Sequence, residues 1–206
     1  MTRPIDFYFD FISPYAYLAA TKIDALAAKH GRDVDWHPFL MGVTVMQVMG
    51  LKPIMETPLK SDYALIDRPR MARLMNVPLI LPEIDGLNSV AASRAYYWIR
   101  DKNPDLAKEF ARRVFNRLWV QGRDITDVDA VSEEVDTLGV DTKQLRAALE
   151  DDRVKGLLRG AVEAAVERKV FGSPFFIIDD EPIWGADRFW MVEHWLKHGN
   201  WDPAPE

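Results

Sequence analysis

Ile5-Asp6-Phe7-Tyr8-Phe9-Asp10-Phe11-Ile12-Ser13-Pro14-Tyr15-Ala16 stands almost at the start of the chain, and everything after it is read against it. Residues 4–10 alternate apolar and polar side chains and are rich in aromatics, the period of a β-strand. Ser13-Pro14 then has the form of a helix start, with Ser as N-cap and Pro at the first helical position. Tyr17, Leu18, Ile23, Leu26 and Ala27 carry helical spacing to about Lys29, and Gly31 closes the helix. Val34, Trp36 and His37 read as a second short strand. The chain therefore opens strand–helix–strand.

Its end is also mixed. Phe175-Phe176-Ile177-Ile178, Asp179-Asp180-Glu181 and Pro182-Ile183-Trp184 read as strand, turn and strand. Gly185 follows, and Asp187 is placed to open a last helix through about Lys197. Between the two ends, from Val43 to about Lys169, no segment has the period of a strand. Helices are expected there from Asn88 or Ser89 to Arg100, from Asn103-Pro104-Asp105 to about Val120, and from Thr126 or Asp127 to before Gly139. Two more run from Asp141 through Glu150 and from Asp152 through Lys169, the latter with Leu157, Leu158, Ala161, Ala165 and Val166 inward. Gly50 to Pro82 is rich in Pro and reads as less regular. The expected architecture is α/β: residues 1–42 (βαβ) and 170–206 (ββα) form one unit, and residues 43–169 a helical insertion.

The 206 residues carry a net charge of −6 and a pI near 5.3, which argues against nucleic acid as the main partner, since phosphate binding needs a basic face. A small anionic ligand needs only one or two local cations. At 48% hydrophobic and 28% charged, the chain has the balance of a globular protein, which a disordered one lacks. It has no cysteine, so it forms no disulfide, thiolate metal site or dithiol redox pair of its own. No apolar run approaches the roughly 20 residues of a membrane helix. No charged-then-apolar leader precedes the first strand, so a cytoplasmic location without membrane contact is expected.

Few residues are candidates for chemistry. Ser13 is an N-cap, and a helix N-terminus is also an anion site where a hydroxyl can donate to a thiolate. Ser173-Pro174 precedes an apolar strand; only about 5–6% of X–Pro bonds are cis, so sequence alone favours trans. In Trp184-Gly185-Ala186-Asp187-Arg188, Asp187 is a plausible cap. Capping is the first reading; the functional one is a carboxylate that, with nearby amides, can grip an amino-acid-like zwitterion. Lys52 and Lys60 lie in the Pro-rich stretch, where lysines are ordinarily solvated. His194 and His198 have a zinc-compatible spacing, but no further ligand is evident and no metal is expected; they read as exposed tail histidines.

Taken together, these segments resemble the 2-hydroxychromene-2-carboxylate isomerases and the related kappa-class glutathione transferases, in the DsbA-like branch of the thioredoxin superfamily. The resemblance covers nearly the whole chain. Its most specific parts are Asp6 to Tyr15, Arg168-Lys169-Val170-Phe171-Gly172-Ser173-Pro174, and Trp184 to Arg188. Phe39 to Val43 and Gly50-Leu51-Lys52-Pro53 follow less distinctly.

The resemblance implies a thioredoxin-like fold with a large helical insertion, glutathione as cofactor, a small aromatic carboxylate as substrate, and a homodimer. Ser13 stands where the family's serine contacts the glutathione sulfur, with Pro14 and Tyr15 beside it. Redox relatives have a Cys-x-x-Cys pair where this chain has Ser13 and Ala16. Ser173 precedes the family's cis-proline, Pro174, and its backbone would pair with the cysteinyl unit. Asp187 would hold the γ-glutamyl end among Trp184, Ala186 and Arg188, and Lys60 matches a lysine near the glycyl carboxylate. Leu51 departs from the pattern: the family often has an asparagine there that bonds the tripeptide, and a leucine cannot make that bond. Lys60, Lys52 or Arg188 is available to neutralise the substrate carboxylate.

The activity implied is isomerisation of 2-hydroxychromene-2-carboxylate to trans-o-hydroxybenzylidenepyruvate, or of a similar intermediate in aromatic catabolism. The alternatives are a conjugating transferase and a binding protein without catalysis.

Overall fold

The computed structural model describes residues 3–202. Strand β1 (Ile5–Phe9) leads into helix α1 (Pro14–Ala20), α2 (Ile23–Lys29) and β2 (Val34–Pro38). Six helices follow: α3 (Lys60–Leu74), α4 (Val90–Arg100), α5 (Pro104–Trp119), α6 (Val128–Asp136), α7 (Thr142–Glu150) and α8 (Asp152–Glu167). The chain ends with β3 (Phe175–Ile178), β4 (Glu181–Trp184) and α9 (Phe189–His198). The sheet order is β2-β1-β3-β4, with β1 parallel to β2 and antiparallel to β3, and β3 antiparallel to β4. Among the described residues no strand lies between β2 and β3, and no helix is long and apolar enough to cross a membrane.

The alternation of β1 sets what the sheet buries. Phe7 and Phe9 point to one face, where Phe7 stacks on Phe176 at 5.5 Å and meets the edge of Trp36 at 5.2 Å. Phe115 of α5 packs on Phe9 at 5.3 Å, and the Tyr96 and Tyr97 hydroxyls of α4 each donate to a β2 carbonyl, of Trp36 and Pro38, at 2.8 Å. The inserted helices and the sheet thus share one contiguous core. The β3–β4 turn is the two-residue loop Asp179-Asp180 with φ of 53° and 73°. Arg32 and Arg3 tie it down, each at 2.9 Å from one of the two carboxylates.

Four expectations need correction. The helix from Pro14 to Lys29 is two helices, because the Thr21 hydroxyl turns back on the Leu18 carbonyl at 2.7 Å and the chain tightens there. The stretch from Gly50 to Pro82 holds a fifteen-residue helix, α3. Its N-cap is Leu59 at φ 69° with no capping side chain, it contains Pro69, and only Ala64 and Ala72 are buried, so it lacks a capping residue and an apolar period, and only Asp62 in its first turn and Arg73 in its last mark its ends. The cap of α8 is Asp151, which accepts from Arg153 N and Val154 N, rather than Asp152. Asp187 caps nothing: it lies in a short 3₁₀ turn, Ala186–Arg188, ahead of α9.

Candidate active site

Ser13 comes off the C-terminal end of β1 as the N-cap of α1, and it is buried. Its Oγ accepts from Ala16 N at 3.2 Å and donates to the Ser173 carbonyl at 2.9 Å. The Ser173–Pro174 peptide bond is cis. Two residues far apart in sequence, Ser13 and Ser173, are therefore in direct contact. The Ser173 hydroxyl is held in turn, accepting from Asp10 N at 2.8 Å.

The Ala186–Arg188 turn lies against α1, and Gly185 N donates to the Pro174 carbonyl at 3.1 Å. Asp187 and Arg188 are thereby carried to the same end of the sheet as Ser13. Gly185 has φ 111°, and a β-carbon there would lie 2.4 Å from Asp187 Oδ1, so this close approach requires glycine. Trp184 packs over Gly172 in the same way: a β-carbon at 172 would meet its Nε1 at 2.3 Å. Ala186 is buried, Asp187 and Trp184 are exposed, and Arg188 donates to the Trp184 carbonyl at 2.7 Å.

Other expected residues stand apart. Tyr15 is tied to α3, donating to Asp67 Oδ2 at 2.9 Å; burial, and then the Asp67 carboxylate, push its pKa well above the usual phenol value. Lys60 is the first residue of α3, exposed, and Leu51 is exposed beyond a π-helical turn at Gly42–Val48. Among the described residues, no side-chain hydrogen bond or ion pair joins Lys60 or Leu51 to the Ser13–Ser173 group. His194 is half-buried and stacks on Trp201 at 5.9 Å, so it is not a free tail histidine.

Sequence reasoning missed what organises the site. Asp10 is fully buried between two aromatics of β1's extension. Its Oδ1 accepts from the Ser89 hydroxyl at 2.6 Å and from Ile12 N at 3.2 Å, and its Oδ2 accepts from Met41 N at 2.8 Å. It gathers the loop before Ser13, the loop after β2, the start of α4 and, through its own N–H, Ser173. Burial pushes its carboxyl above the ordinary value; the Ser89, Met41 and Ile12 donors oppose that. The signal was present: an acid flanked by Phe9 and Phe11 in an aromatic strand has to be satisfied inside. Ser89, read as a helix cap, spends its hydroxyl on Asp10, and Asn88 Oδ1 accepts from Val90 N instead.

On the other face of the sheet Asp6 pairs with His37 Nε2 at 2.9 Å and with Arg168 at 2.6 Å. Burial works against the ionised form of Asp6, yet these two hydrogen bonds hold it below the ordinary carboxyl value.

The parallel and antiparallel pairs around β1, the serine at the strand-to-helix corner and the cis-proline loop against it define a thioredoxin-like protein with a DsbA-type helical insertion. Family comparison agrees: the DSBA-like thioredoxin domain matches residues 4–197. The chain is 30% identical to the 2-hydroxychromene-2-carboxylate isomerase of Sphingobium xenophagum, covering 95% of this chain and 99% of that one. It is 26% identical to glutathione S-transferase kappa 1 of Caenorhabditis elegans, over 98% and 93% of the two chains. A solved 2-hydroxychromene-2-carboxylate isomerase superposes with a TM-score of 0.84 at 28% identity, covering 94% of each chain. The chain belongs to the DsbA-like thioredoxin family and, within it, to the 2-hydroxychromene-2-carboxylate isomerases and their kappa-class glutathione transferase relatives. It is an enzyme of this type.

Proposed function

We propose that the protein is a glutathione-dependent isomerase of a 2-hydroxychromene-2-carboxylate or a closely similar aryl pyruvate precursor. The observation that carries this is the Ser13 hydroxyl, buried and held on the Ser173 carbonyl at 2.9 Å. The donor set fits a zwitterionic thiol tripeptide. Ser173 offers a carbonyl to the amide of a cysteinyl unit, and that amide takes the place of the Ser13 hydroxyl on it. The released hydroxyl turns to donate to the sulfur. Asp187, exposed at the turn beside Pro174, meets an ammonium, and Lys60 a terminal carboxylate.

A free thiol has a pKa near 8.5, so only a few per cent is ionised at pH 7, and a hydroxyl donor to the anion lowers that value. Because α1 has only seven residues, the field of its N-terminus is short, and the weight falls on the Ser13 hydroxyl. When bound there, glutathione would supply a thiolate for reversible addition to a conjugated carbon of the ring-opened substrate, which makes a double bond a single, rotatable one until elimination of the same thiolate restores it. The task of the chain is to hold and ionise the sulfur, exclude water and neutralise the substrate carboxylate.

The test measures glutathione binding by calorimetry, then product formed per glutathione lost with a hydroxychromene carboxylate. Turnover that needs glutathione without depleting it is expected. One glutathione consumed per product would make the enzyme a conjugating transferase like its kappa-class relatives. No binding and no turnover would leave a non-catalytic binding protein. A homodimer is part of this reading: Met46, Met49, Ile54, Leu65 and Ile66 are exposed apolar side chains that a second copy would cover. Sedimentation at the 23.6 kDa mass of a single chain would remove it.

A further inference from the structure

Arg68 differs from the other arginines among the described residues that are not exposed. Arg32 has Asp179, Arg100 has Asp35, Arg113 has Glu109, Arg117 has Glu133 and Glu134, Arg94 has the Leu149 carbonyl, and Arg188 has the Trp184 carbonyl. Among the described residues, Arg68 has neither an ion pair nor a hydrogen bond, and its Nε is shielded from solvent with no acceptor. The adjacent carboxylate is already engaged. Asp67 accepts from the Tyr15 hydroxyl at 2.9 Å and the Tyr63 hydroxyl at 3.2 Å, and Arg70 lies 3.6 Å from it. A guanidinium partly removed from water and left without an acceptor is costly unless something fills it. Burial accordingly lowers the pKa of the Arg68 guanidinium from its ordinary value, and Tyr15 is near enough to oppose that shift.

The position of Arg68 in the fold matters. Tyr15 is the second residue of the helix that Ser13 caps, and the Tyr15–Asp67 bond holds α3 against that helix. Arg68 therefore stands on the helix packed against α1, one residue from the carboxylate that holds Tyr15, itself two positions after Ser13. The surrounding segment exposes apolar groups, including Met55, Tyr63 and Ile66.

We propose that Arg68 binds the carboxylate of the aromatic 2-oxo acid substrate, in place of the lysines and Arg188 that the sequence offers for that role. The planar fork of arginine suits a carboxylate in a bidentate pair, and the apolar neighbours suit an aryl group. Lys60 is solvated on the surface, and Arg188 is committed to the Trp184 carbonyl. The inference rests on the proposed isomerase reading, but its test does not depend on turnover.

The probes are phenylpyruvate and its carboxamide, titrated by calorimetry into the whole protein, with glutathione titrated separately. Arg68→Met is expected to weaken phenylpyruvate about 10- to 100-fold, the loss of a hydrogen-bonded charge partner. Arg68→Lys falls between it and the unaltered protein. Carboxamide and glutathione affinities stay within about twofold. Unchanged phenylpyruvate affinity in Arg68→Met overturns the proposal. So does weakened glutathione with unchanged phenylpyruvate, which would give Arg68 to the tripeptide. If Arg68→Met does not fold, the unaltered protein decides: equal affinity for acid and carboxamide overturns the assignment. Loss of phenylpyruvate binding in a protein with no glutathione-dependent turnover would uphold Arg68 and overturn the isomerase reading.

Discussion

Replacing Ser13 by alanine removes a hydroxyl with two buried bonds, one donated to the Ser173 carbonyl at 2.9 Å and one accepted from Ala16 N at 3.2 Å. Both partners stay buried and are left unpaired. A lost serine cap alone costs about 0.5–2 kcal/mol, and a buried polar group without a partner costs about 1–3 kcal/mol. Ala16 is wholly shielded while Ser173 retains slight exposure, so water compensates the carbonyl better than the amide. The sum is about 1.5–5 kcal/mol, more than a typical cap alone. In a chain of this size each kcal/mol moves the melting temperature by roughly 2–4 °C, so a drop of about 3–20 °C is expected. Turnover, measured well below the lowered transition, should fall about 10²–10³-fold, as for loss of a donor to a developing anion. Ser13→Thr keeps the hydroxyl and should recover most of both. The assays are urea and thermal unfolding, and chromatography of product with glutathione present. A folded Ser13→Ala protein within about 0.5 kcal/mol of the original would refute the two-bond account. One that kept more than about a tenth of the turnover would remove Ser13 from the chemistry.

Three further outcomes are expected. Asp187→Ala should weaken glutathione about 5- to 10-fold in calorimetry, or ~1–1.4 kcal/mol, with an unchanged melting temperature, because the side chain is 62% exposed and caps no helix; equal affinity would leave it a surface carboxylate. Gly172→Ala should cost about 1–3 kcal/mol in urea unfolding, because its new β-carbon would lie 2.3 Å from Trp184 Nε1 and the indole has to move; a neutral result would mean that Trp184 is already mobile. The folded pKa of Asp6 is lowered, so its contribution is full above the ordinary carboxyl value of 3.8 and is lost as pH falls through the lowered one. Asp6→Asn should therefore narrow the gap between urea midpoints at about pH 3 and pH 7, and an unchanged gap would dismiss the Asp6–His37–Arg168 cluster as its source.

Legibility differed from element to element for physical reasons. β1, β3 and β4 were readable because a buried strand needs aromatic or β-branched residues bounded by turn formers, and those features are local. The N-caps Asn103, Asp127 and Asp141 were readable because capping is a bond within three residues. Helix α3 was not, since its surroundings bury only two alanines and its face therefore leaves no period in the sequence. Among site residues, Ser13 was visible as a cap, Asp187 as a carboxylate with nearby amides and Ser173-Pro174 as a strand start, and the family resemblance added the role of the Ser173 backbone.

What the sequence determined by itself is the mixed strand–helix character of the two ends with helices between them, the absence of any thiol chemistry of the chain's own, and a hydroxyl at the strand-to-helix corner. Only the tertiary structure decided that this hydroxyl meets the Ser173 carbonyl, that Asp10 joins four separate segments, that Asp187 caps no helix, and that Arg68 has no partner among the described residues. The reason is the range of the forces. Propensity and capping act within one turn and are written in neighbouring residues. Whether a buried polar group is satisfied depends on groups up to 163 residues away along the chain, which only folding brings within a hydrogen bond's reach.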